Sequence, residues 1–220
     1  MRSNMMLLMA AAIWGLGFVA QRLGMDHMGP FTFNGLRFLL GALSLLPLLW
    51  WLKSRQPRPQ PGSPSGDRRL LLAGGLIAGG VLFSAASLQQ VGLLYTTAAK
   101  AGFITGLYII LVPVIGLALR HKTGANTWIG ALIAMAGLYY LSVTEEFTIG
   151  YGDLLQVIGA LFWAIHLLVL DHYSNRVAPI RLAGVQFVVC GLLSLGTAFV
   201  IETPTLGGAV AGWQALLYAG

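Results

Sequence analysis

The sequence predicts an all-α, polytopic membrane protein, and its composition and hydropathy pattern carry that prediction. Of the 220 residues, 57% are hydrophobic and 9% are charged, whereas a soluble domain carries about 25% charged residues. Apolar stretches of roughly 20 residues recur along the chain, and each can cross the hydrocarbon core of a bilayer as a helix. A large soluble helical protein would need a polar face on each helix, and most of these stretches have none.

Seven complete membrane spans and the start of an eighth can be drawn from these stretches. The complete spans are expected at Met5–Leu23, Pro30–Leu52, Leu70–Leu94, Thr96–Leu119, Thr127–Val143, Leu154–Leu170 and Leu182–Ile201. The eighth begins near Trp213 and reaches Gly220, a length that rises only about 12 Å as a helix. Because that length cannot cross a bilayer, we expect the chain to continue with further spans.

Lysine and arginine predict the orientation of the chain in the inner (plasma) membrane. Two of them, Arg22 and Lys100, fall on the side opposite the N-terminus, and Arg37 falls inside the second span. The side of the N-terminus receives Arg2, Lys53, Arg55, Arg58, Arg68, Arg69, Arg120, Lys122, Arg176 and Arg181. Loops rich in Lys and Arg stay in the cytoplasm, so the N-terminus is expected there. The same distribution accounts for the net charge of +6 without a nucleic-acid partner.

An internal repeat relates the sixth span to the first at an offset of 149 residues without a gap. The identical positions include Trp14 with Trp163 and Pro30 with Pro179. Five spans separate the two starts, and an odd number places the second unit upside down relative to the first. Inverted repeats are a common architecture of carriers that work by alternating access, with the substrate site near the midplane between the units.

Several segments together resemble the EamA-type permeases of the drug/metabolite transporter superfamily. They are residues 14–18 (WGLGF), Pro30 with Arg37 and Phe38, residues 88–93 (LQQVGL), residues 95–103 (YTTAAKAGF) and Pro113. The resemblance implies ten spans in two inverted five-helix units. Residues 1–145 would form the first unit, and residues 150–220 would form a truncated second unit. It also implies a site between helices of both halves, including helices beyond position 220, so the chain as given would hold part of the pocket.

Aromatic and polar residues on the first and sixth spans are candidates for substrate binding. Trp14, Phe18 and Gln21 share one face of the first helix. Trp163 shares a face with His166 and Gln156, and a tryptophan ring attracts cations. An ionisable residue within a span is a functional candidate, and a histidine also suits proton coupling. The alternatives are that the aromatic residues pack between helices, that Gln21 lies at the headgroups, and that His166 is neutral and bonded to a backbone carbonyl.

The most polar junction of the chain supplies four more candidates, Gln89, Thr97, Lys100 and Tyr108. A helix beginning near Thr96 would direct its N-terminus at this region, and helix N-termini favour anionic groups. Lys100 would strengthen that attraction. The alternative is a capped turn with a lysine that reaches the interface, and a Tyr108 that merely packs.

Three further features are interpreted as structural. Arg37 is expected to bind helix-end carbonyls or acidic residues of the outer loops. Gly75 and Gly79, four residues apart, predict a close approach of two helices. Pro113 predicts a bend in the fourth span.

Together these observations predict a secondary transporter that exports small organic metabolites such as amino acids by alternating access. A membrane-embedded enzyme or a scaffold without transport activity is the alternative. The expected partners are a small-molecule substrate and membrane lipid, and a homo-oligomer is left open. No cofactor, catalytic residue or metal ligand is assigned, and the sequence contains no phosphate-binding loop that would couple ATP directly.

The inverted arrangement can be tested by topology. Tags inserted within Lys53–Arg69 and within Glu145–Asp153 should lie on opposite sides of the membrane, the first in the cytoplasm, because three spans separate them. Access of a membrane-impermeant reagent in intact cells and in inverted vesicles measures this. Both tags on one side would contradict the arrangement.

Overall fold

The computed structural model describes residues 2–55, 68–120, 123–142 and 150–220. Every regular element in these residues is a helix, which confirms the all-α prediction for the described part of the chain. In chain order the helices are α1 (Arg2–Gly24), α2 (Pro30–Arg55), α3 (Arg68–Gly92), α4 (Ala98–Thr105), α5 (Tyr108–Ala118), α6 (Ala125–Ser142), α7 (Tyr151–Ser174), α8 (Pro179–Ile201), α9 (Leu206–Ala211) and α10 (Trp213–Ala219).

Five helical stretches among the described residues are long and apolar enough to cross a membrane. They are Pro30–Leu52, Arg68–Gly92, Ala98–Ala118, Tyr151–Ser174 and Pro179–Ile201. The other two spans expected from the sequence coincide with α1 and α6, which are not among these five, and they stay predictions. The helix expected near Trp213 is present as α10.

Helix α3 lies at the centre of the packing, against α7 and α8, and α2 packs along α8. The contact of α3 with α8 uses the glycine pair noted in the sequence. A Cβ atom at Gly75 would lie 2.2 Å from Val185, and one at Gly79 would lie 2.6 Å from Val189. Both distances are far inside van der Waals contact. The close approach expected at this pair is therefore confirmed.

The fourth apolar stretch is interrupted between α4 and α5, at Gly106 and Leu107. The backbone tightens there: the Leu107 amide donates to the Ile104 carbonyl (3.1 Å), and the Ile109 amide donates to the Gly106 carbonyl (3.0 Å). These are i to i−3 bonds, which wind the chain more tightly than an α-helix does. Pro113, where the sequence predicted the bend, lies inside α5. The interruption thus comes about two turns earlier than expected.

A carboxylate from α8 caps the N-terminus of α2. Glu202, which follows the last residue of α8, accepts hydrogen bonds from the Phe31 amide (2.8 Å), the Thr32 amide (2.9 Å) and the Thr32 hydroxyl (2.6 Å). The first amides of a helix have no partner within the helix, and they attract negative charge. Glu202 therefore ties the end of α8 to the start of α2.

Further polar contacts join helices at this same end of the bundle. Arg22 at the end of α1 donates to the carbonyl of Leu93, just past α3 (2.8 Å). Asp153 in the first turn of α7 accepts a hydrogen bond from Thr96 (2.5 Å) and lies 3.8 Å from the Lys100 ammonium of α4. Together with Glu202, these contacts hold α1, α2, α3, α4, α7 and α8 together at one end.

The Glu202 cap predicts a measurable loss of stability. Glu202→Gln removes the charge and one strong acceptor, so the free energy of unfolding should fall by about 1 kcal/mol. Thermal unfolding in a non-ionic detergent checks this. Asp26→Asn is the matched control, because Asp26 is an exposed carboxylate in the turn after α1. Equal melting temperatures for the two variants would argue against the cap.

Candidate substrate site

A buried cluster of hydrogen bonds centres on Gln89 of α3. Its side-chain amide donates to the Oε1 of Gln21 in α1 (3.1 Å), and its own Oε1 accepts the indole N–H of Trp163 in α7 (2.8 Å). Its backbone carbonyl accepts from the Nε2 of Gln156, also in α7 (2.8 Å). One residue thus connects three helices through its side chain and its backbone.

Gln156 and Gln90 extend the cluster to either side. Gln156 is fully buried, and its Oε1 accepts from the hydroxyl of Thr105 (3.3 Å). Gln90 is also fully buried, and its Nε2 donates to the backbone carbonyl of Gln21 (3.4 Å). The Oε1 of Gln90 has no hydrogen-bond partner among the described residues. The cluster therefore contains uncharged donors and acceptors, with one acceptor available.

The cluster lies against the interruption of the fourth apolar stretch. Thr105 is the last residue of α4, directly before the turn at Gly106 and Leu107. In membrane proteins, non-helical backbone is tolerated where protein or a water-filled cavity satisfies it. Interrupted helices at midplane form the substrate sites of several transporter folds.

A second polar contact lies beside Trp163, deeper in α7. The ring of His166 meets the ring of Trp163 edge to face, with centroids 5.8 Å apart. His166 Nε2 donates to the Oε1 of Gln186 in α8 (2.8 Å), because an amide oxygen can only accept. The Nδ1 of His166 is buried and has no hydrogen-bond partner in the described part of the chain. Thus the partner of His166 is a side-chain amide, where the sequence interpretation had named a backbone carbonyl.

Three of the predicted residues stand apart from these hydrogen bonds. Trp14 is 69% exposed and lies two turns before Gln21 on the same face of α1. Phe18 is half-buried, and a Cβ atom at Gly102 of α4 would lie 3.9 Å from its ring. Tyr108 is half-buried at the first position of α5. The structure therefore brings Gln21, but not Trp14, to the cluster.

Thr97 and Lys100 form a capped turn, the alternative noted in the sequence. The Thr97 hydroxyl accepts from the Lys100 amide (3.2 Å) and so caps α4. The Lys100 side chain lies beside the carboxylate of Asp153. Lys100, which was expected to attract an external anion, therefore has an acidic side chain of the same chain 3.8 Å away.

Sequence reasoning did not select three residues of this region, Thr105, Gln156 and Gln186. Gln156 lies two turns before Trp163, and the sequence places it on the same helix face as Trp163 and His166 without making it a candidate. Gln186 is a lone amide in a long apolar stretch, which is a usable signal because polar residues in spans usually face a partner. Nothing in the sequence separates Thr105 from other threonines. Arg37, expected to bind helix-end carbonyls or acidic loop residues, is instead bonded to Asn34.

Comparison with known proteins identifies the family. The model of the EamA-like transporter family matches residues 1–143 and again residues 150–220. The chain belongs to this family. A protein of Archaeoglobus fulgidus, named an uncharacterized transporter, is 34% identical over 202 residues, which are 90% of this chain and 58% of that protein.

Other relatives carry similar names. The uncharacterized transporter YetK of Bacillus subtilis is 29% identical, over 95% of this chain and 64% of its own length. The uncharacterized inner membrane transporter YedA of Escherichia coli is 25% identical, over 89% of this chain and 60% of its own. This EamA chain therefore spans less than two thirds of the length of each of these three relatives. A solved crystal structure at 19% identity matches 95% of this chain and 72% of that chain with a TM-score of 0.62, which shows a shared fold.

The central position of Gln89 predicts its effect on stability. Gln89→Leu leaves the Trp163 indole N–H without its acceptor and the Gln21 Oε1 without its donor, which should lower the free energy of unfolding by about 1–2 kcal/mol. Thermal unfolding in detergent measures the change. The same substitution at Gln214, an exposed glutamine of α10, is the control and should have no effect. A Gln89 variant as stable as the control would contradict the cluster.

Proposed function

We propose that this EamA protein is a secondary carrier that exports small organic metabolites such as amino acids by alternating access across the inner membrane. The N-terminus would lie in the cytoplasm, and residues 1–145 and 150–220 would belong to two inverted units. The family and the names of the relatives support membrane transport in general. The exported solute and the alternating-access mechanism are our proposal.

The observation that carries the proposal is the composition of the buried cluster. Gln21 and Gln89 come from the first stretch matched by the family model, and Gln156 and Trp163 come from the second. A site built across both stretches changes shape when one moves relative to the other. That property is what an alternating-access carrier requires of its substrate site.

Two observations support the inverted repeat. Helices α2 and α8 begin at Pro30 and Pro179, which are 149 residues apart. Phe38 of α2 and Phe187 of α8 are also related by this offset, and their rings lie against each other with centroids 5.7 Å apart. Contact between equivalent residues is expected at a two-fold axis.

The available atoms favour a solute that donates hydrogen bonds. The Oε1 of Gln90 and the Nδ1 of His166 are buried acceptors without a partner in the described residues. Burying an acceptor without a donor costs about 1–3 kcal/mol of free energy, so binding of a ligand that supplies the donor is favoured. The Trp163 ring beside His166 adds a surface suited to a cation. The ammonium group of an amino acid has both properties.

Transport by reconstituted protein tests the proposal. Proteoliposomes containing the full-length protein are loaded with a mixture of labelled amino acids, and saturable efflux is expected. Trp163→Phe removes the indole N–H and the five-membered ring but keeps an aromatic side chain, and His166→Ala removes the imidazole ring. Each should raise the half-saturation concentration of the exported amino acid about 5- to 30-fold.

The control is Trp213→Phe, which changes a 53% exposed tryptophan of α10 and should leave efflux unchanged. Unaltered kinetics in both site variants would remove Trp163 and His166 from the site. Absence of efflux for every solute, with the protein folded, would reject the carrier. Appearance of a chemically altered product in the same assay would indicate the membrane-embedded enzyme instead.

A further inference from the structure

Arg37 is a buried cation inside α2, and two aromatic rings lie near its guanidinium. The side chain is 8% exposed. Its Cζ lies 4.6 Å from the ring centroid of Phe38 and 5.9 Å from that of Phe33. The Nε donates to the Oδ1 of Asn34 (3.0 Å), and the Asn34 amide in turn donates to the carbonyl of Ala86 in α3 (3.1 Å). Asn34 thereby fixes the position of the guanidinium.

No carboxylate among the described residues neutralises this charge. Asp153 lies beside Lys100, and Glu202 is bound to the N-terminus of α2. The other two described acidic residues, Asp26 and Asp171, are exposed near helix ends. Arg37 forms no ion pair with any of them.

An arginine in this position retains its charge, because the guanidinium cannot be deprotonated in proteins. A charge within an apolar interior is unfavourable unless it is paired or faces water. Nε is bonded to Asn34, and none of the described residues forms a hydrogen bond with the two terminal nitrogens. The edge that these nitrogens form is therefore available to a ligand. That edge matches the two oxygens of a carboxylate.

We propose that Arg37 binds the carboxylate of the small organic solute that the carrier transports. The position of Arg37 relative to the Gln89 cluster supports this assignment. Ala86, to which Asn34 is bonded, lies one turn before Gln90 on α3, about 6 Å along the helix axis. A solute could therefore place its carboxylate at Arg37 and a donor at the Oε1 of Gln90. The assignment rests on the proposed function only in taking the anion to be the transported solute.

Ligand-induced stabilisation tests the site without requiring transport. The full-length protein in a non-ionic detergent is melted with sodium benzoate, with benzamide, or with sodium chloride at matched ionic strength. Benzoate and benzamide share a shape and differ by the charge. Benzoate should raise the melting temperature by about 3 °C or more at saturation, and benzamide should not.

Variants locate the effect. Arg37→Gln should abolish the benzoate shift, and Arg37→Lys, which keeps the charge without the planar fork, should reduce it at least twofold. Arg37→Lys also serves if Arg37→Gln does not fold. Arg176→Gln removes an exposed arginine and should retain the full shift.

Three results would overturn the proposal: no benzoate shift in the wild type, a full shift in both Arg37 variants, or equal shifts with benzoate and benzamide. A lipid headgroup is distinguished by adding phosphatidylglycerol or phosphatidylcholine to the micelles. Stabilisation that requires phosphatidylglycerol and is absent with benzoate would assign the site to lipid and reject a solute. If Arg37 does not bind benzoate but amino-acid efflux persists in Arg37→Gln, the Arg37 site is rejected and the carrier function is retained. If benzoate raises the melting temperature but no solute is exported, only the carrier function is rejected.

Discussion

Hydrocarbon offers no hydrogen-bond partners, and this constraint governs the polar interior of the protein. Backbone amides are satisfied within their own helix, but a buried side-chain amide must find its partner in another helix or remain unsatisfied. Gln89 meets the constraint most completely, because its side chain binds both α1 and α7 while its backbone carbonyl accepts from Gln156. The same bonds determine which faces of α1, α3 and α7 meet. Where no polar bond joins two helices, glycines let them pack closely, as Gly75 and Gly79 of α3 do against α8.

The interruption at Gly106 acts together with this cluster. A continuous helix through the fourth apolar stretch would bond nearly all of its backbone amides and carbonyls to one another, so few of them could bond to other groups in the interior. The change to i−3 hydrogen bonds at Leu107 and Ile109 tightens the backbone just after Thr105, whose hydroxyl bonds to Gln156. The backbone irregularity and the side-chain cluster therefore occupy one region. Polar residues are stable there because they satisfy one another, and the acceptor of Gln90 that remains is where a ligand donor would add most.

Much of the fold follows from the sequence, since hydropathy and proline positions dictate where helices lie. The helix start at Pro30 was predicted for this reason, whereas α8 begins at Pro179, three residues before the expected Leu182. The site was readable only in part. Periodicity shows which residues share a helix face, so Trp163 and His166 were correctly placed together, but it does not show which neighbour covers that face. Trp14 has the same pattern as Trp163 and is nevertheless largely exposed. Pairings such as that of His166 with Gln186 depend on packing between distant segments, which a single sequence does not encode in any local pattern.

The contact between Phe38 and Phe187 has a geometric consequence for any motion of the two units. If the offset of 149 residues reflects a two-fold axis, these rings lie on either side of it, and an exchange of roles between the units maps the pair onto itself. Their separation would then be the same in the two end states, while distances at both ends of the bundle change in opposite directions. Under the inverted arrangement proposed above, the pair would act as a fulcrum, and the distance between the two rings would be the reference against which rocking of α2 and α8 is measured.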